Sequence, residues 1–223
     1  MAGRVHAWDA PVRLFHWLLA ALVVFSFVTG KVGGDWMAWH LRSGYCILTL
    51  LLFRLGWGFA GGTTARFAGF VRGPRAAMEH ARAIVARRLV PHAGHNPLGG
   101  WMVLAMLAAL LTQASAGLFA DDEISIQGPL SIKASSAWVA RMNWVHEYNQ
   151  WVIVGLVAMH VIAIAVYQWG LKVNLVGPMV HGTALLEEAS PAARPGSNVL
   201  AAVLLAAAAA FVYWLVTIYP ASP

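Results

Sequence analysis

The sequence predicts an all-α integral membrane protein: a four-helix transmembrane bundle followed by a fifth, C-terminal transmembrane helix. Three observations carry this. Hydrophobic residues make up 60% of the chain and charged residues 11%, with a mean hydropathy of +0.65. Five stretches approach the ~20 mostly apolar residues that a spanning helix needs. No loop supplies enough polar surface to cover five such helices in water, which argues against a soluble α-helical protein.

The first span covers residues 12–29, within "VRLFHWLLAALVVFSFVTG". It lacks a clear small-residue cleavage site and carries His16 near its start, so it reads as a retained span and not a cleaved signal. The second covers 39–59 and holds the single cysteine, Cys46, which has no partner for an internal disulfide. Within the following loop, "AAMEHARAIVARRL" (76–89) has the pattern of a short amphipathic helix lying on the membrane surface. The third span covers 98–119. The loop after it, "FADDEISIQGPLSIKASS", has turn residues and no strong periodicity. The fourth covers 144–169. Beyond it, "LKVNLVGPMVHG" reads as an interfacial segment and "ASPAARPGSN" as a Pro-rich linker. The fifth span, 199–218, contains no charge. The expected organisation is a membrane domain over 1–182, a linker over 183–197 and an added helix over 198–223.

Charge distribution orients the spans. The 61–97 loop holds Arg66, Arg72, Arg75, Arg82, Arg87 and Arg88 against Glu79. The 120–142 loop opens with Asp121, Asp122 and Glu123 and has Lys133 and Arg141. Cytoplasmic loops are enriched in Lys and Arg. The 61–97 loop is therefore expected on the cytoplasmic side of the membrane and the 120–142 loop outside. The N-terminus, with Arg4 and Arg13, is then inside and the C-terminus outside. Beside membrane spans, topology and anionic membrane lipid explain the basic loop better than nucleic acid does.

Ionisable groups inside spans are costly and are functional hypotheses by default. Here they are His16 in the first span, His40, Arg42 and Arg54 in the second, and His146, Glu147 and His160 in the fourth. His146 and His160 are two heptads apart. That separates them by about 21 Å along the helix and leaves them on one face with about 40° of drift. Sorted by depth, His16 pairs with His160 at the inner level and His40 with His146 at the outer level.

One intramembrane histidine is commonly a helix–helix hydrogen-bond partner. Two pairs on facing helices, stacked across the bilayer, are what two bis-histidine haem b groups require. Gly30 and Gly44 lie beside the outer level and are candidates for porphyrin clearance. Gly155 falls between the two fourth-span histidines. Arg54, 14 residues after His40, is a candidate contact to an inner haem propionate; Arg42 and Arg141 are candidates outside. Each arginine can also snorkel to the interface. Of the other histidines, His6 and His92 fall in loops, His80 on the surface helix and His181 after the fourth span. His95, in "GHNPLGGWMV", precedes the third span at the inner interface.

The motifs "WDAPVRLFHWLLA", "HLRSGYCILTLLLFRLGWGF", "ARFAGFVRGP", "GHNPLGGWMVLAML" and "HEYNQWVIVGLVAMH" together resemble the bacterial di-haem cytochrome b561 family. They are closest to its branch related to the cytochrome b subunit of nickel–iron hydrogenases. The resemblance covers most of 8–182. It implies a four-helix core, two b haems, and His16, His40, His146 and His160 as iron ligands. It also implies electron transfer between a periplasmic partner (a hydrogenase subunit or a c-type cytochrome) and the quinone pool. Whether the chain is an enzyme in itself stays open. Some members of the wider family oxidise superoxide and reduce quinone, which would want an outer cationic pocket; Lys31, Arg42, Lys133 and Arg141 are its candidates, opposed by the acidic "ADDE". A histidine-based metal transporter ranks last, because Glu147 is the lone intramembrane carboxylate. The fifth span lies outside the core pattern and offers an interface for a homodimer.

Overall fold

The computed structural model describes residues 3–86, 88, 94–121, 126–186 and 193–222. Arg87, His92, Asp122, Glu123 and the middle of the expected linker lie outside the described residues. Five helices are long and apolar enough to cross a membrane: Ala10–Val32, Gly34–Ala60, Pro97–Gly117, Ser136–Gly170 and Asn198–Ala221. All five expected spans are present.

The strand β1 (Gly3–His6) precedes α1 (Ala10–Val32). Asp9 starts α1: its Oδ1 accepts the Val12 amide at 3.0 Å, an N-cap, and Pro11 occupies the first turn. A 3₁₀ turn at Gly34–Trp36 leads into α2 (Met37–Ala60). Two short helices follow, α3 (Phe67–Phe70) and α4 (Pro74–Val85). The helix α4 is the expected amphipathic one. Its Arg75 and Glu79 pair at 3.0 Å in solvent, and Ala77 is buried.

The third spanning helix, α5 (Pro97–Gly117), is capped by Asn96, whose Oδ1 accepts the Gly99 amide at 2.7 Å. Ser135 Oγ receives the Trp138 amide at 3.4 Å at the start of α6 (Ser136–Ala165), which continues as a π-helical turn through Val166–Gly170. This helix begins eight residues before the fourth apolar stretch does. Apolarity ends at Trp144, but nothing between Ser136 and Asn143 breaks backbone hydrogen bonding. At 1.5 Å per residue the whole element is about 50 Å long, more than the ~30 Å hydrocarbon core. Lys172, at φ 59°, ends it, and the Val173 amide turns back to the Tyr167 carbonyl at 2.9 Å.

Next come α7 (Val176–His181) and the strand β2 (Thr183–Leu186). The stretch read as a linker therefore begins as a strand. It pairs antiparallel with β1, Gly3 opposite Leu186 and His6 opposite Thr183. Ser197 Oγ receives the Leu200 amide at 3.4 Å and opens α8 (Asn198–Tyr213), the fifth spanning helix.

The chain forms two compact units, and the long helices contribute to both. One unit comprises the chain up to Leu14, Arg54–Met106 and Gly155–Ala201; the other comprises Phe15–Phe53, Leu107–Val154 and the chain from Ala202 onward. In the first, Trp57 is fully buried. Its indole N–H donates to Asp9 Oδ2 at 3.2 Å, and a Cβ on Gly196 would stand 2.4 Å from its ring. The Arg194 amide donates to Thr63 Oγ1 at 3.0 Å, and the Thr63 amide returns to the Arg194 carbonyl at 3.0 Å. The far end of the expected linker is thus hydrogen-bonded to the core and is not a free tether. In the second unit, Val212 of α8 is buried with Leu48, Leu118 and Leu130. The fifth helix is part of that core; a sequence pattern of alanine and valine gives no sign of which neighbour it will meet.

The spanning helices turn large apolar side chains outward. Trp17, Val24 and Val28 of α1, Val152 and Ile162 of α6, and Val199 and Phe211 of α8 are all exposed. This is the arrangement for which lipid, not water, is the solvent.

Candidate functional site

Within the unit built from Phe15–Phe53, Leu107–Val154 and Ala202 onward, α1, α2, α5 and α6 line an open cavity of about 420 Å³. That is within the ~300–1,000 Å³ range of cofactor sites. His40 of α2 and His146 of α6 both line it. Their ring centroids are 5.9 Å apart and their planes are at 89°.

Each imidazole is held by a backbone carbonyl of a neighbouring helix. His40 Nδ1 is 2.8 Å from the Ser26 carbonyl of α1. His146 Nδ1 is 3.0 Å from the Gln113 carbonyl of α5. A carbonyl only accepts, so each Nδ1 carries the proton and donates it. In a neutral imidazole the Nε2 lone pair is then the metal-binding atom. A metal-ligating histidine is ordinarily oriented through its other ring nitrogen in this way.

Side chains reinforce the α5–α6 contact. Gln113 Nε2 donates to the His146 carbonyl at 2.9 Å. Asn149 Nδ2 donates to Gln113 Oε1 and to the Ala109 carbonyl, both at 2.9 Å. These residues escaped sequence reasoning, which searched the spans for ionisable groups. Their signal was present: an uncharged Gln and an uncharged Asn in otherwise apolar helices, each needing a partner.

The spacing of the pair suits haem iron. Metal–imidazole bonds of about 2 Å on opposite sides of one iron put ring centroids roughly 6 Å apart, close to the observed 5.9 Å. Among the described residues, no group of three or more His, Cys, Asp or Glu side chains is placed to hold a metal ion. Two facing imidazoles would suit a metal that brings its other donors with it, as a porphyrin iron does.

The other expected residues are placed as follows. His16 is half-buried on α1 in the same unit, edge-on to Trp17 at 4.9 Å between centroids. His160 is half-buried on α6 in the first unit. Gly30 and Gly44 both line the cavity. Gly44 faces open space, whereas a Cβ on Gly30 would stand 2.8 Å from His40 Nδ1. Gly30 thus makes room for the imidazole as well as for whatever fills the cavity. Arg42 is exposed and sits over the Trp39 ring at 5.0 Å; Arg141 is exposed on α6.

Arg54 does not snorkel. It is 3% exposed and lies over Phe67 at 5.1 Å and Phe70 at 6.0 Å. Its Nη1 is buried with no hydrogen-bond partner among the described residues. A buried guanidinium N–H in that state fits an anionic group such as a propionate. Phe70 also stacks on His95 at 4.5 Å, and Trp8 meets His95 edge-on at 4.6 Å. Of the four cations considered for an outer anion pocket, Lys31 lines the cavity, together with Asp121 and Glu147. Lys133 instead donates to the Ser222 carbonyl. The lining is therefore not an anion trap.

The model of the prokaryotic cytochrome b561 family matches residues 7–182. A curated relative from Azotobacter chroococcum mcd 1, described as a probable Ni/Fe-hydrogenase B-type cytochrome subunit, is 24% identical over 228 residues, covering 84% of this chain and 91% of the relative. No solved structure matches the chain. With the matched region taking in both histidines of the cavity and all four long helices around it, this chain belongs to the prokaryotic cytochrome b561 family, as a multi-pass membrane b-type cytochrome that transfers electrons.

Proposed function

We propose that the chain binds two haem b groups and transfers electrons between a periplasmic redox partner and membrane quinone. His40 and His146 would hold the iron of the outer haem, and His16 and His160 that of the inner one. The observation that supports this most is the His40–His146 pair, 5.9 Å between centroids with each Nδ1 engaged by a helix carbonyl. The iron supplies one-electron chemistry when bound; the chain supplies ligands, orientation and electrostatics. The 14-residue spacing of His146 and His160, two heptads, lets one helix supply a ligand to each haem. Arg54 receives an inner propionate, and Arg42 and Arg141 serve the outer one.

The N-terminus is cytoplasmic, following the Arg-rich 61–97 loop, so the His40/His146 centre faces the periplasm. The partner there is a hydrogenase subunit, a choice supported by the description of the Azotobacter relative; a c-type cytochrome is the other candidate. Quinone docks at the cytoplasmic side near His95 and Arg54. A stand-alone superoxide oxidase is disfavoured by Asp121 and Glu147 beside Lys31 in the cavity lining.

The test is direct. Purified protein should show a b-type reduced-minus-oxidised spectrum with two haems per chain by pyridine haemochrome. Hydrogen plus a purified periplasmic hydrogenase should reduce both haems, and added quinone should reoxidise them. One haem per chain, or reduction by superoxide and not by the partner, would overturn the proposal.

A further inference from the structure

Two carbonyl–glycine clamps fix the rotation of the outer imidazoles. The acceptor for His40 is the Ser26 carbonyl, and four residues on stands Gly30. The acceptor for His146 is the Gln113 carbonyl, and four residues on stands Gly117. In a helix, residue i+4 is the one whose amide points at the carbonyl of residue i. Its Cβ would therefore crowd any ring that shares that carbonyl. A Cβ on Gly30 would stand 2.8 Å from His40 Nδ1, and one on Gly117 would stand 2.9 Å from His146 Cε1 and 3.2 Å from Nδ1. The same device occurs twice, on different helices, for the two rings of one pair. The rings it holds are at 89° to each other.

We infer that Gly30 and Gly117 are positioning residues that hold the two outer ligand planes perpendicular and so set the electronic structure of the iron between them. This rests on the reading that His40 and His146 ligate one iron. Each imidazole raises one of the two π-type d orbitals of the iron, the one perpendicular to its own plane. Coplanar rings act on the same orbital and split the pair. Perpendicular rings act on one each and leave the pair nearly degenerate, which gives ferric low-spin iron a large orbital moment and a strongly anisotropic g tensor.

The experiment is continuous-wave EPR of the oxidised holoprotein, with haem content measured in parallel. Wild-type protein, and His160→Ala retaining the outer haem, should show a gmax resonance at clearly lower field than the rhombic signal of coplanar imidazoles. Gly117→Ala and Gly30→Ala should move that resonance toward the rhombic position or lose the outer haem alone, leaving one per chain. Gly73→Ala, where an added Cβ would meet nothing within 4 Å, should leave it in place. A rhombic outer haem in wild-type protein overturns the inference even if the glycine variants fail to accumulate. So does an unchanged signal with full haem in both glycine variants. Protein that binds no haem refutes instead the functional proposal above.

Discussion

Replacing Gln113 with leucine separates what the α5 side chain contributes from what its backbone does. The side chain makes two hydrogen bonds, to the His146 carbonyl and from Asn149, both at 2.9 Å. Hydrogen bonds between membrane helices average about 0.6 kcal/mol each, so losing two costs about 1.2 kcal/mol. Asn149 keeps its bond to the Ala109 carbonyl, which limits any penalty for an unpaired amide. Leucine is close in volume, so cavity formation adds little. The total, about 1–1.5 kcal/mol, is roughly a tenfold change in the folding equilibrium. The contact to His146 Nδ1 uses the backbone carbonyl of Gln113 and survives. The variant should therefore retain full haem and an unchanged optical spectrum, with a lower midpoint of Soret loss in a denaturing-detergent titration. Loss of the outer haem under native conditions would refute the division between side chain and backbone. An unchanged midpoint would refute the energetic role of the side-chain bonds.

Further predictions concern the first unit. Asp9→Ala removes the N-cap of α1 and the buried hydrogen bond from the Trp57 indole to the Asp9 carboxylate. The cap is worth about 1 kcal/mol and a hydrogen bond to a charged group about 1.5–3 kcal/mol, so thermal unfolding should show a loss of roughly 2.5–4 kcal/mol. Arg54→Leu removes a buried positive charge near the proposed inner haem. Potentiometry should show one midpoint lowered, by up to roughly 60 mV for a tenfold change in a one-electron couple, with the other unmoved. Gly196→Ala puts a methyl 2.4 Å from Trp57, and overpacking of this kind costs about 1–3 kcal/mol. It should lower the unfolding midpoint and leave the haem spectrum unaltered.

The membrane architecture was legible because lipid imposes one rule along the whole chain: about 20 apolar residues per span. All five spans follow it. The histidines were legible for the complementary reason, since a polar ring in such a span requires a purpose. Sorting by depth put His40 and His146 at one level, and their ring centroids lie 5.9 Å apart. What stayed hidden depends on contacts between distant segments. The docking of α8 on Leu48 and Leu118 has no local signature. The β1–β2 ribbon joins four-residue strands 180 positions apart. Gly117 carries no signal of its own in the sequence; only the approach of His146 gives it a role. Arg54 could be read as snorkelling from its position near the end of the span, yet its burial under Phe67 and Phe70 comes from α3, a single turn of helix no periodicity argument would isolate.

Four single histidine variants test the central claim most directly. Optical redox titration of the wild-type protein should show two one-electron waves. His40→Ala and His146→Ala should each abolish the same wave, and His16→Ala and His160→Ala should each abolish the other. A single wave in the wild type, or different waves lost in His40→Ala and His146→Ala, would contradict it.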